Sequence, residues 1–208
     1  MVKTALKRIY TFLIFSFLYA PIIVLIVFSF NESKSRAHWT GFTLKWYVEM
    51  FKDRQIMTSL YNTITIALVS SIIATVLGTI AAVGIHYMKK TPRTIMMNLT
   101  YLPVLNPDIV TGISLMLLFI LMKVERGFFS MLIAHITFNL PYVILSVMPK
   151  LKQLDNHLYD AALDLGATPV YAFRKVIIPQ IAPGIFTGFL LALTMSIDDF
   201  VISFFTTG

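Results

Sequence analysis

Cysteine is absent from the 208-residue chain, which excludes disulfide staples, thiolate metal sites and cysteine nucleophiles. Charge is scarce as well. Only 13% of the residues are Asp, Glu, Lys or Arg against 57% hydrophobic, and the mean hydropathy is +0.79. A water-soluble domain of this size needs more polar surface than that. No Gly-x-Ser-x-Gly, His-Glu-x-x-His or Gly-x-x-x-x-Gly-Lys-Ser/Thr occurs, so the chain carries none of the residue patterns for those hydrolytic chemistries. An intramembrane enzyme is thereby set aside.

What the chain has in excess is apolar length. Runs close to the roughly 20 residues that cross a bilayer recur at about 9–30, 60–87, 95–122, 128–148 and 181–203. The net charge of +7 needs no nucleic-acid partner, because the basic residues flank these runs, as the positive-inside rule requires. Lys3, Lys7 and Arg8 precede a run too long for a signal-peptide core, which predicts a retained first helix with a cytoplasmic N-terminus. Ten Lys and Arg then fall in inner segments and seven, Arg36 included, in outer ones. The tight 88–94 hairpin, with Lys89, Lys90 and Arg93, carries most of the orienting signal.

Between the first two runs, Leu44, Tyr47, Val48 and Phe51 fall on one face of a short helix, beside Trp46. That spacing predicts an amphipathic helix along the outer membrane surface. Two spans carry small residues every four positions: Ala74, Gly78 and Ala82 in the second, and Gly184, Gly188, Ala192 and Ser196 in the fifth. Lipid supplies no hydrophobic drive for helix pairing, so such faces predict close helix contacts. Pro103, Pro107 and Pro141 are expected to interrupt the third and fourth spans, and freed backbone at membrane depth is tolerated only against protein or a water-filled cavity.

A patterned polar segment, about 149–180, separates the last two runs. Asp155 or Asn156 is placed to cap a helix whose run Leu158–Leu165 stops at Gly166, a residue suited to the left-handed position past a helix end. Thr168 caps a second helix with Pro169 at its first position, and Pro179 is expected to end it. Leu158, Ala162 and Leu165 form one apolar stripe, and Val170, Phe173 and Ile177 another, the pattern of a docking surface.

Asp160-Ala161-Ala162, three residues, Gly166, nine residues and Val176-x-Ile178-Pro179 resemble the EAA loop of bacterial ABC importer permeases. Asp160, Val176 and Ile178 stand where that loop has Glu, Ile and Leu. Asn106-Pro107-Asp108-Ile109-Val110, Thr137-Phe138-Asn139-x-Pro141 and Ser196-Ile197-Asp198-Asp199-Phe200 resemble the spermidine/putrescine permeases of that family. The resemblance implies an all-α, polytopic, MetI-like transmembrane bundle, a single domain over 1–208. It also implies a sixth span beyond the five present, whereas the sequence stops at Gly208. The implied setting is a bacterial inner membrane, surrounded by lipid. The implied partners are two ATPase subunits, a second homologous permease and an extracytoplasmic polyamine-binding protein. ATP would be bound by the ATPase, so the chain itself needs no cofactor and no metal. Asp160, Ala161, Ala162, Leu165, Gly166, Phe173 and Pro179 would couple to the ATPase.

Three acids lie at membrane depth: Asp108, Asp198 and Asp199. A mid-bilayer carboxylate costs about 2.5–3.5 kcal/mol, so such residues normally face a cavity or a partner. Ser196 shares a face with Asp199. An acid-lined path suits a flexible polycation, and the aromatic faces of Trp46, Tyr101, Phe138 or Tyr142 would add cation–π attraction. His135 and Asn139 are read as interhelical hydrogen-bonding residues. Two alternatives stay open at this point. One is a permease for another small solute, such as ferric ion, sulfate or an opine. The other is a secondary transporter, which would have no use for the docking loop.

Overall fold

The computed structural model describes residues 2–34 and 38–208, so Arg36 lies outside the described residues. The chain divides into two units, Met1–Leu60 and Tyr61–Gly208.

The first unit is built on α1 (Val2–Phe28), whose stretch Leu6–Phe28 is long and apolar enough to span a membrane. No part of that stretch is buried within the protein. The chain then turns around Asn31. Its Oδ1 accepts from Thr40 N (2.8 Å), its Nδ2 donates to His38 O (3.0 Å), and its carbonyl accepts from Trp46 Nε1 (2.8 Å). The predicted amphipathic segment is α2 (Lys45–Lys52). Its Tyr47 hydroxyl hydrogen-bonds Ser29 Oγ (2.7 Å), while Val48 and Phe51 stay exposed. Asp53 ends α2 and starts α3 (Arg54–Tyr87), because its Oδ1 accepts from Gln55 N (2.8 Å) and Ile56 N (3.2 Å). Such an acceptor satisfies amide donors that lack partners in a first helical turn.

The second unit continues with α4 (Lys90–Leu105), α5 (Asp108–Leu121), α6 (Phe128–Lys152), α7 (Asn156–Asp164), α8 (Pro169–Ala172), a π-turn at Phe173–Ile177, α9 (Ile178–Asp198) and α10 (Val201–Thr206). α6 is its axis. Both small-residue stripes are buried, and both close on the same side chain of α6. A Cβ at Gly78 would stand 2.7 Å from Val143 Cγ1, and one at Gly188 would stand 3.2 Å from Val143 Cα. At Gly184 a Cβ would come within 3.0 Å of the Ser146 carbonyl. The helices therefore meet backbone to backbone, and dispersion gathers where lipid offers no hydrophobic gain. Around this seam lie Ala74, Ala82, Ile85, Val147, Leu151, Ile177, Ile181 and Ala192.

The proline expectations divide. The third span breaks at Asn106-Pro107, and its two pieces are bent by 106°. Asn106 is driven to extended ψ (143°), as the residue before a proline must be. Pro103 lies inside α4. The fourth span, by contrast, runs unbroken through Pro141 and Pro149; one missing ladder bond is tolerated in a helix packed along its length. Nor does Pro179 end the loop's second helix. From Pro169 to Asp198 the chain forms one 30-residue candidate span. Ile178 N–H donates to Phe173 O, five residues back, and this wider turn makes room for the ring of Pro179 against the preceding carbonyls.

Candidate functional site: two broken helices and a loop hairpin

Two helices of the second unit break, and each break is marked by acid. Asp108 opens α5 directly after Pro107, at a helix N-terminus where the macrodipole favours a carboxylate. It is exposed. α9 stops at Asp198 and α10 starts at Val201. The short second pieces pack together, because a Cβ on Gly112 would meet Phe205 Cδ2 at 3.0 Å and the Val201 carbonyl at 3.5 Å. Gly112 follows Asp108 by four residues, about one turn of α5, and Val201 follows Asp198 by three, across the break. The Tyr142 hydroxyl lies within electrostatic reach of Asp108, and its ring meets Phe138 edge-on at 5.4 Å.

The neighbouring acids at the second break differ. Asp198 is exposed. The Asp199 side chain retains 5% of its surface, and its carboxylate is occupied. Oδ1 accepts from Ile202 N (3.2 Å) and Oδ2 from Ser203 N (2.9 Å), which starts α10. His135 of α6 stands beside it, with Nε2 3.7 Å from Asp199 Oδ2 and 3.0 Å from Ser203 Oγ. The other ring nitrogen, Nδ1, hydrogen-bonds Ser196 Oγ at 2.6 Å, and Ser196 Oγ in turn meets Ser70 Oγ of α3 at 3.1 Å. His135 is thus the interhelical residue expected. Asn139 is not: it is fully buried, and neither amide atom has a hydrogen-bond partner among the described residues.

Of the other residues expected to line a path, Ser196 is buried in this network and Phe138 is buried with Phe119, Ala134 and Ile202. Tyr142 is half-buried against that cluster, and Tyr101 on α4 is largely exposed. Trp46 belongs to the first unit, where Lys34 and Lys45 each hold an ammonium 5.5 Å from its ring centre. Those two lysines already supply the cations its ring can attract, and their charge opposes a further one. Nothing in the sequence pattern flagged His135 as the hub, because its partners lie 61 and 68 residues away.

The hairpin of α7 and α8 follows its sequence closely. Asp155 Oδ1 caps α7 by accepting from His157 N (3.0 Å), and Thr168 Oγ1 accepts from Tyr171 N (3.4 Å) to cap α8. Between them Gly166 adopts φ +87°. Ala167 N donates to Ala162 O (3.0 Å) and Gly166 N to Leu163 O (2.9 Å), the paired bonds of a Schellman turn. The Ala-Ala-x-x-x-Gly spacing therefore has a mechanical reason: Ala162 supplies the carbonyl that the turn after Gly166 must reach. Leu165 and Val170 are 89% and 77% exposed, and Leu158 and Tyr171 are also open. Phe173 is half-buried against the unit's own core and Ile177 fully so, so the second apolar stripe turns partly inward. Asp160 and Ala161 are exposed, Ala162 is half-buried, and Pro179 is exposed at the start of α9.

A Cβ at Gly166 would meet nothing within 4 Å, which isolates its torsional role. Gly166→Val should cost about 1–2 kcal/mol in left-handed strain alone. Amide exchange across Leu165–Ala167 is expected to speed about tenfold, and an unchanged rate would show that the turn does not depend on glycine.

Comparison with known proteins places this architecture. Residues 74–208 match the model of the binding-protein-dependent transport system inner membrane component. The chain is 38% identical over 195 residues to the spermidine/putrescine transport system permease protein PotC of Escherichia coli, covering 94% of this chain and 74% of that one. It is 34% identical to the protein of the same name from Haemophilus influenzae, over 100% of this chain and 81% of the relative. It is 36% identical to the putrescine transport system permease protein PotI of Escherichia coli, over 100% of this chain and 76% of the relative. The matched region holds both breaks, the hairpin and the seam on α6, and the apolar helices make a multi-pass membrane protein. This chain belongs to the family of binding-protein-dependent transport system inner membrane components.

Proposed function

We propose that the chain is one permease subunit of an ATP-driven importer of polyamines, paired with a second permease and served by two ATPase subunits and an external binding protein. One observation carries the reading. The 30-residue helical rod Pro169–Asp198 joins an exposed apolar hairpin at one end to a membrane-depth acid at the other. At about 1.5 Å per residue it is some 45 Å long, enough to deliver a push at the hairpin to the far side of a bilayer. The hairpin's exposed Leu158, Leu165, Val170 and Tyr171 are offered to the ATPase, with Asp160, Ala161 and Ala162 on α7 between Leu158 and Leu165. Asp108 and Asp198, with Tyr142 and Tyr101, offer charge and aromatic surface to a flexible polycation crossing a low-dielectric path. The N-terminus and the hairpin are cytoplasmic, Asp198 lies toward the outer mouth and Asp108 nearer the middle of the membrane. ATP binds the partner, so the subunit is not itself an enzyme.

The test is uptake of labelled spermidine and putrescine into vesicles holding the assembled complex with its binding protein. ATP-dependent accumulation is expected. ATP-dependent uptake of ferric ion or sulfate with no polyamine uptake would overturn the cargo, and uptake driven by a proton gradient without ATP would overturn the class.

A further inference from the structure

Resting on that reading, we propose that His135, Ser196, Asp199 and Ser203 form a clasp that positions the substrate-facing Asp198 and does not itself touch the polycation. The outer end of the rod is the place where a push from the hairpin must become a change in the path. There the chain turns a corner, from Asp198 through Asp199 and Phe200 into α10. A corner of two residues between helices is a hinge unless something holds it.

Four contacts hold this one. Asp199 accepts with both carboxylate oxygens from the Ile202 and Ser203 amides in the first turn of α10, at 3.2 and 2.9 Å. His135 reaches α9 through Ser196 (2.6 Å) and α10 through Ser203 (3.0 Å) from opposite sides of a single ring. One imidazole thereby fixes the angle between the two helices to α6. Through Ser196 and Ser70 (3.1 Å) the same network extends to α3. The ring and the carboxylate keep only 2% and 5% of their side-chain surface, which leaves no face for a substrate amine. Asp198, one residue earlier, is exposed. Adjacent carboxylates thus divide the work: one binds the corner, and the other is presented by it. A planar ring bonded at both nitrogens resists rotation more than a single hydroxyl pair does, because each bond fixes a different direction.

Cargo charge separates a ligand from a clasp. Spermidine carries one more ammonium group than putrescine, so removing a carboxylate that touches cargo should penalise spermidine more. Loosening a clasp should slow both cargoes by the same factor and raise the ATP hydrolysed per molecule imported. In vesicles holding the full complex, Asp199→Asn and His135→Gln are each expected to lower the maximal rate about tenfold or more. The spermidine-to-putrescine ratio should stay within about twofold of the unaltered protein. The double variant should be no slower than the slower single one, as for residues acting as one unit. Asp198→Asn should shift the ratio. If the charged-residue variants fail to accumulate, Ser203→Ala removes one bond and no charge; it should show the same unshifted ratio with about a threefold loss, and Ser203→Thr should restore the rate. A ratio shift at Asp199 or Ser203 matching that at Asp198, or normal uptake by His135→Gln or by Ser203→Ala, would overturn the proposal.

Discussion

Gly188→Leu is expected to abolish assembly of the folded permease, the largest effect foreseen for any single substitution in the chain. The glycine lies in the seam between α6 and α9, and a Cβ there would sit 3.2 Å from Val143 Cα and 3.3 Å from Val143 Cγ1. The nearer atom is backbone and cannot rotate away. Overpacking a site that yields costs about 1–3 kcal/mol. Here relief requires the helices to part, which also opens the contact at Gly184, where the Ser146 carbonyl stands in the way. The expected loss therefore exceeds that range and is comparable to the stability of a small domain. Gly84→Ala serves as control, since a Cβ at Gly84 meets nothing within 4 Å. Thermal melting of the purified protein in detergent reads both. A Gly188→Leu protein that melts within a few degrees of the unaltered one would show that α6 and α9 are not sealed this way.

Neutralising the exposed acids is expected to stop most transport without harming the fold. Asp108 and Asp198 are exposed, neither makes an ion pair among the described residues, and each stands at a break in a membrane helix. A charged hydrogen bond contributes about 1.5–3 kcal/mol, and each 1.4 kcal/mol is a factor of ten. Asp108→Asn or Asp198→Asn should thus slow spermidine uptake about tenfold or more, putrescine uptake less, and leave the melting temperature unchanged. Asp198→Glu, which keeps the charge, should recover most of the rate. Equal slowing of both cargoes by Asp198→Asn would remove that residue from the path.

The two substitutions also separate what is local in this molecule from what is not. Gly166 could be assigned its left-handed turn from its neighbours, because a Schellman turn is closed by carbonyls three and five residues back in the chain. The same holds for the caps at Asp155 and Thr168 and for the corner at Asn106-Pro107, where backbone sterics act between adjacent residues. The small-residue stripes announced that helices would meet there. They did not say that both would meet Val143, because the partner of a face lies beyond the reach of periodicity.

Composition, run length and local chemistry determined on their own that this is a helical membrane protein with five apolar runs, four of them single helices long enough to cross a membrane and one a bent pair, with an amphipathic helix after the first and a capped hairpin before the last. These follow from the cost of burying backbone and charge in lipid and from bonds between near neighbours, all written along the chain. Tertiary structure alone decided that the hairpin's second helix continues as the fifth crossing, through a π-turn that accommodates Pro179. It also decided that Asp199 closes a buried clasp on His135 while Asp198 stays open, since two adjacent carboxylates are identical as sequence. Only α6, which brings His135 to 3.7 Å from Asp199, makes them different.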